Sequence, residues 1–240
     1  MKPFFSEIQV INLPSRVDRR REIEEQLVRQ GSGLGTPGVE LFAAVRPSDP
    51  GPFPTIGTRG CFLSHLGVLE AAAQRQLESV LILEDDCNLS GDCRLRLQAL
   101  AGTEFASRWE LLYGGTLTGA AYRPSDTGWI ALDPELPLMG SHFIAVRGQA
   151  IARITEYFKA MLARPPGDPA GGPMHVDGAY SWYRREHPDA LTVLASPPIA
   201  YQRSSRTDIH DTRWFDAMPG VRQGVAAARR LKNAWNDRSR

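Results

Sequence analysis

Cysteine is scarce in this chain, with Cys61, Cys87 and Cys93 as its three. The number is odd, no CxxC pair occurs, and Cys87 and Cys93 do not stand at zinc-finger spacing, which argues against a disulfide framework and points to reduced thiols in a cytoplasm. A charge excess is missing too. The 28 basic residues face 27 acidic ones, so no global field favours nucleic acid, and no nucleic-acid partner is expected. No apolar run approaches the roughly 20 residues of a membrane span. The opening MKPFFSEIQVINLPSR has one Lys, and its apolar residues are broken by Ser6, Glu7 and Gln9. It therefore lacks a signal-peptide core, and a cytoplasmic location is expected. A phosphate-binding glycine loop is also lacking: GSGLGTPG follows a helix pattern rather than a strand.

What is present suffices for one compact α/β domain, since 240 residues at 42% hydrophobic bury one sizeable core. Residues 8–13 read as a strand, and residues 17–30 as a helix with Ile23 and Leu27 as its apolar pair. Residues 41–45 read as a short strand, and the Pro- and Gly-rich 46–60 as a loop too broken for either regular element. From Cys61 the pattern turns helical, with Leu63, Leu66, Leu69 and Ala73 predicted to face a core. Strands are predicted within 79–86, 108–115, 140–147 and 191–196. Helices are predicted over 148–162, with Ile151, Ile154, Phe158 and Leu162 on one stripe, and over 175–187. Strands alternating with helices argue an α/β mixed sheet. Residues 1–215 are taken as the domain and 216–240 as a basic helix or tail, whose last twenty residues hold six basic residues against Asp237.

The stretch VLILEDDCNL, residues 80–89, poses the chemical question. A continuous apolar strand runs straight into Glu84, Asp85 and Asp86, at the C-terminal strand edge where open α/β sheets bind ligands. Adjacent acids repel one another unless water or a cation relieves them. Acids after a strand also serve as turn residues and helix caps. Three together suit a hard cation, Mg2+ or Mn2+, held against a diphosphate. If the extended conformation persists, Glu84 and Asp86 share one side and Asp85 faces the other. Spacing alone leaves open a nucleotide-sugar transferase, a nucleotidyltransferase and a metal phosphatase.

Six stretches, INLPSRVDRR, GTRGCFLSHLGVLEAA, VLILEDD, GSHFIAVRGQAI, HVDGAYSW and PPIAYQRSSRTDI, span residues 11–209 in the order and approximate spacing of glycosyltransferase family 25. The chain resembles that family of galactosyltransferase-like enzymes of lipopolysaccharide and lipooligosaccharide synthesis. The resemblance implies a GT-A-like, Rossmann-like mixed sheet flanked by helices. It also implies inverting transfer from a nucleotide sugar, commonly UDP-galactose, to a glycan or lipid-linked glycan, with Mn2+ or Mg2+ as cofactor. Carried over by position, it sets Asn12, Arg16 and Arg19 at the nucleotide end, with Ser64, His65, Glu84 and Asp85 along the donor. It adds Gln202, Ser205 and Arg206 from the late segment, Asp86 and His142 as metal ligands, and Asp177 as the base that deprotonates the acceptor hydroxyl. The chain departs from the family pattern at Pro14–Ser15, Thr58 and Phe143–Ile144.

Asp208 could support the site, and His210 and Asp211 are further metal-ligand candidates. Trp182, Tyr183 and Trp214 could stack on an acceptor glycan. The basic C-terminal segment suits peripheral attachment to anionic lipid at the inner membrane face. Two rival readings stand beside transfer: a nucleotidyltransferase making an activated sugar, and a non-catalytic nucleotide- or glycan-binding module.

Overall fold

The computed structural model describes residues 4–203. The continuous apolar run at residues 80–83 lies in an interior strand of the sheet, the third of seven. Strands β1 (Glu7–Asn12), β2 (Val39–Ala43), β3 (Ser79–Glu84), β5 (Leu111–Tyr113), β6 (Trp129–Ala131), β7 (Phe143–Arg147) and β8 (Thr192–Ala195) form one seven-stranded mixed sheet. Its order is β2-β1-β3-β7-β5-β8-β6. A second, two-stranded sheet pairs β4 (Cys87–Leu89) with β9 (Ala200–Gln202).

Pairing direction sets where a site can form. β1 runs parallel to β2 and β3, β7 is antiparallel to both β3 and β5, and β5 is parallel to β8. The C-terminal ends of β1, β3, β5 and β8 and the start of β7 therefore share one edge. Asn12, Glu84 and His142 all lie on it.

Strand alternation separates two cores. Val80 and Ile82 point into the face covered by helices α2 (Ile56–Gln74), α4 (Gln149–Leu162) and α5 (Val176–Glu186). Leu81 and Leu83 point into the other face, which α1 (Val17–Arg29) and α3 (Cys93–Leu100) cover. All four are completely buried. At about 25 cal/mol per Å2 of apolar surface, each contributes roughly 1.5–3 kcal/mol. On α1 the predicted pair Ile23 and Leu27 is fully buried. Gln26 Oε1 accepts from the Leu89 amide at 3.1 Å and Gln30 Nε2 donates to the Ser90 carbonyl at 2.9 Å, which fastens α1 to β4 just past the acids.

Three sequence expectations need correction. The 46–60 segment is not loop throughout, because α2 begins at Ile56. Thr55 supplies the missing N-cap, its Oγ1 accepting from the Thr58 amide at 3.0 Å, and local capping outweighs the prolines before it. The buried face of α2 is also broader than a Leu63–Ala73 stripe. Phe62, His65, Leu66, Leu69 and Ala72 are buried whereas Leu63 and Ala73 are only partly so, because Phe53 and Phe158 close on Phe62 at ring distances of 5.3 and 4.9 Å. Finally, β4, α3, β6 and β9 were not foreseen. They are too short for a periodic pattern to stand out.

Candidate active site

The edge residues assemble around the three acids, which do not stay extended. β3 ends at Glu84, and Asp85 and Asp86 form a turn into β4. Each acid consequently faces a different wall.

Glu84 turns towards α2. Its Oε1 meets His65 Nε2 at 3.4 Å and accepts a very short bond from the Ser141 hydroxyl. His65, completely buried, holds its other nitrogen 3.3 Å from the Tyr180 hydroxyl. Burial pushes the Glu84 carboxyl up, but the bonds from His65 and Ser141 act against it, and the net direction is down. These contacts favour the charged form of Glu84.

Asp85 turns towards α1. Asn12 Nδ2 donates to its Oδ2 at 2.8 Å and Arg19 Nη1 to its Oδ1 at 2.9 Å. Burial nevertheless raises its pKa, with Arg19 and Asn12 acting against the rise. Asn12 and Arg19, the nucleotide-end candidates, are thus held to the acid cluster. Arg16 pairs with the exposed Asp18 through two nitrogens, at 3.0 and 2.8 Å. That bond draws the Asp18 carboxyl down to about 2.

Asp86 is the deepest of the three. Gln202 Nε2 donates to its Oδ2 at 3.2 Å, Arg19 Nη1 lies 3.9 Å from the same oxygen, and Oδ1 has no partner among the described residues. Burial first, and then the charge of Glu84, push this carboxyl up to about 7. The Asp86 carbonyl accepts from the Arg203 amide at 2.7 Å, and Arg203 Nε donates to Asn88 Oδ1 at 2.8 Å. β9 therefore braces the turn from outside.

His142 sits opposite Glu84 across β3 and β7, its carbonyl accepting from the Glu84 amide at 3.1 Å. It is buried, neither ring nitrogen has a side-chain partner among the described residues, and desolvation lowers its pKa, so the ring is neutral and able to ligate. The orphaned Asp86 oxygen and the neutral His142 imidazole lie at the same strand edge and are ligand types that a divalent cation takes.

Asp177 lies in the first turn of α5 and is partly exposed. Its Oδ2 accepts from the Gly140 amide at 2.9 Å, and its Oδ1 from the Gly178 amide at 2.8 Å. Gly140 has φ +91°, which turns its N–H towards α5 and is strained for any residue with a Cβ. Asp177 thus ties the 138–140 segment to α5, together with Ser181, which accepts from Leu138 N at 3.0 Å.

Other predicted residues take structural posts. Ser64 is fully buried, donates to the Gly60 carbonyl at 2.6 Å and accepts from the Val45 amide at 2.8 Å. Gly60 lets that loop approach, since a Cβ there would lie 2.6 Å from the Val45 oxygen. Tyr183 is completely buried and stacks on His187 at 4.3 Å, so it offers no face to an acceptor. Trp182 carries the Arg185 guanidinium 4.1 Å from its ring centre. Ser205, Arg206, Asp208, His210, Asp211, Trp214 and segment 216–240 lie outside the described residues. Sequence reasoning missed Tyr180 and Arg203. Tyr180 follows Asp177 by three residues on a helix and could have been placed on the same side, whereas nothing local marks Arg203.

Residues 53–131 match the family described as Glycosyltransferase family 25 (LPS biosynthesis protein). Procollagen galactosyltransferase 2 of Homo sapiens is 34% identical over 130 residues, covering 46% of this chain and 21% of the relative. The Homo sapiens protein called Inactive glycosyltransferase 25 family member 3 is 33% identical over 129 residues, covering 46% and 22%. The matched stretch thus spans about a fifth of either relative. In fold the chain is similar to a glycosyltransferase involved in the glycosylation of the major capsid of PBCV-1, with a TM-score of 0.50 over 84% of this chain and 93% of that one at 10% identity. Over residues 53–131 the chain is similar to glycosyltransferase family 25.

Proposed function

We propose that the strand-edge site binds a nucleotide sugar through a divalent cation and transfers the sugar to a glycan hydroxyl. The observation that carries this reading is Asp86, a buried carboxylate with one orphaned oxygen, beside two further acids. Family 25 relatedness gives sugar transfer its weight over the rival chemistries that share acids and a metal. It does not distinguish active from inactive members, because relatives of both kinds are equally similar. Catalysis must therefore be argued from the site.

Asp86 and His142 would hold the ion, Mn2+ or Mg2+. When bound, it neutralises diphosphate charge, which grows as the nucleotide leaves. Asn12 and Arg19 approach the same end of the edge, where an amide can read a base and a guanidinium can meet phosphate oxygens. Glu84, kept ionised by His65 and Ser141, is suited to accept from a sugar or ribose hydroxyl. Asp177 is the candidate base for inverting transfer. Each of its oxygens accepts one backbone bond, which fixes the carboxylate while leaving a lone pair for an acceptor proton. UDP-galactose is the proposed donor. A lipid-linked glycan at the inner membrane face is the proposed acceptor, with peripheral contact through the basic C-terminal segment. Among the described residues no helix is long and apolar enough to cross a membrane.

The test is UDP release from a panel of UDP-sugars with and without Mn2+, for wild type, Asp86→Ala and Asp177→Asn. Transfer predicts one donor consumed only with metal, loss of turnover in both variants, and retained UDP binding in Asp177→Asn. UDP binding without turnover under any condition would replace transfer with the binding-module reading.

A further inference from the structure

Beside the acids lies a second constellation, with a different ligand character. Cys61 and His65 are four residues apart on α2 and so project from one side of the helix. Both reach the end of β3, where Cys61 Sγ lies 3.9 Å and His65 Nε2 3.4 Å from Glu84 Oε1. One ligand atom from each of the three residues falls within 4.8 Å of the others. We propose that Cys61, His65 and Glu84 form a site for a borderline-soft transition ion such as Zn2+, separate from the hard-cation position at Asp86.

Coordination geometry favours this assignment. Tetrahedral bonds of about 2.3 Å to sulfur and about 2.0–2.1 Å to nitrogen or oxygen place neighbouring ligand atoms roughly 3.3–3.6 Å apart. The His65–Glu84 distance already meets that range, and the Cys61–Glu84 distance exceeds it by only a few tenths of an ångström. The remaining pair, Cys61 and His65, lies within 4.8 Å.

A second observation concerns His65. Metal-bound imidazoles characteristically hold their other nitrogen in a hydrogen bond that fixes the ring. His65 does so, with Nδ1 3.3 Å from the Tyr180 hydroxyl, in a completely buried setting that leaves Nε2 aimed at Glu84. Binding displaces the proton that Nε2 directs at Glu84, and the Tyr180 oxygen then accepts from Nδ1–H, the tautomer that ligates through Nε2.

Ligand chemistry separates this site from the one at Asp86. A thiolate, an imidazole and one carboxylate suit Zn2+ or Co2+, whereas oxygen-rich sets suit Mg2+ and Mn2+. Binding converts the Cys61 thiol to a thiolate and releases its proton to solvent. Metal-free, the protein holds that thiol protonated, since burial and then the charge of Glu84 push it well above its ordinary value. With three protein ligands, a fourth position remains for water. Glu84 then serves two neighbours, so an ion here competes with the donor for one carboxylate. The proposal itself does not depend on sugar transfer, because its readouts are of metal binding.

The experiment titrates chelator-treated, full-length protein with Co2+ and follows the sulfur-to-cobalt charge-transfer absorption, with Zn2+ competing against a chromophoric chelator. One equivalent of Co2+ should produce the band and one of Zn2+ should abolish it. Cys61→Ser, a near-isosteric change at a partly exposed position, should remove the band and weaken Zn2+ at least tenfold. Cys87→Ala, Cys93→Ala and Asp86→Asn should each retain it. Tyr180→Phe should weaken Zn2+ about 10–100-fold while keeping the band, as expected when a ligand loses its outer partner. Absence of a charge-transfer band, its survival in Cys61→Ser, or its loss in either of the other cysteine variants would overturn the assignment.

Discussion

Removing the Asp86 charge should stabilise the metal-free protein, an unusual outcome for a change at a buried polar residue. The Asp86 carboxyl is pushed from its ordinary 3.8 up to about 7 by burial and by Glu84. Its folded-state value lies above its unfolded one, so between those limits the folded state binds the extra proton. Stability then falls as pH rises from about 4 to about 7, and the penalty is complete above that. Roughly three pH units at 1.36 kcal/mol each set a ceiling of about 4 kcal/mol. Glu84 shares the repulsion, and the Arg19 contact at 3.9 Å is lost with the charge, so about half the ceiling, ~2 kcal/mol, is the working expectation. Asparagine keeps the shape, and its carbonyl can still accept from Gln202.

The assay is thermal and urea unfolding of chelator-treated wild type and Asp86→Asn across pH 5 to 8. The variant should unfold about 4–8 °C higher at pH 8, with a smaller gap at pH 5. Saturating Mn2+ should reverse the order, because only the wild type gains binding energy, about 2.7 kcal/mol at a hundred times Kd. A variant less stable than wild type at pH 8 without metal, or a gap independent of pH, would refute the reasoning.

Further outcomes follow from the same contacts. Gly60→Ala should lose about 1–2 kcal/mol in urea unfolding, because the clash with the Val45 carbonyl exceeds the ~1 kcal/mol gained in helix propensity. Arg184→Met should cost about 3 kcal/mol, also read by urea unfolding. Its guanidinium is completely buried and donates to Thr192 Oγ1, the Leu136 carbonyl and the Asp133 carbonyl, all of which would lose their donor. Ser141→Ala should raise the Glu84 pKa, since the serine bond is one of the contacts holding it down, and carboxyl NMR would register the change. An unchanged Glu84 titration would remove Ser141 from its support.

The sequence was most informative where one pattern persisted along several residues. VLIL, residues 80–83, is apolar without interruption and became the strand buried on both faces, and Ile23, Leu27, Ile151, Ile154 and Phe158 met the core as their spacing required. It was least informative where short-range chemistry decided the outcome. Thr55 starts a helix inside a stretch whose prolines suggest only loop, and β4 and β9 exist because each completes the other at a distance of over a hundred residues. The acids were visible, but the turn at Asp85–Asp86 was not, and that turn sends each carboxylate to a different partner. The double duty of Asp177, tether for Gly140 and candidate base, depends on a segment 37 residues earlier in the chain.

In the proposed function Asp86 brings a nucleotide diphosphate to this edge through a divalent ion. Calorimetric titration of UDP into the protein, with and without Mn2+, for wild type and Asp86→Asn, tests it most directly. Wild type should bind UDP only with Mn2+ present, and Asp86→Asn should lose that binding. Equal UDP affinity in the two proteins, or binding indifferent to Mn2+, would contradict it.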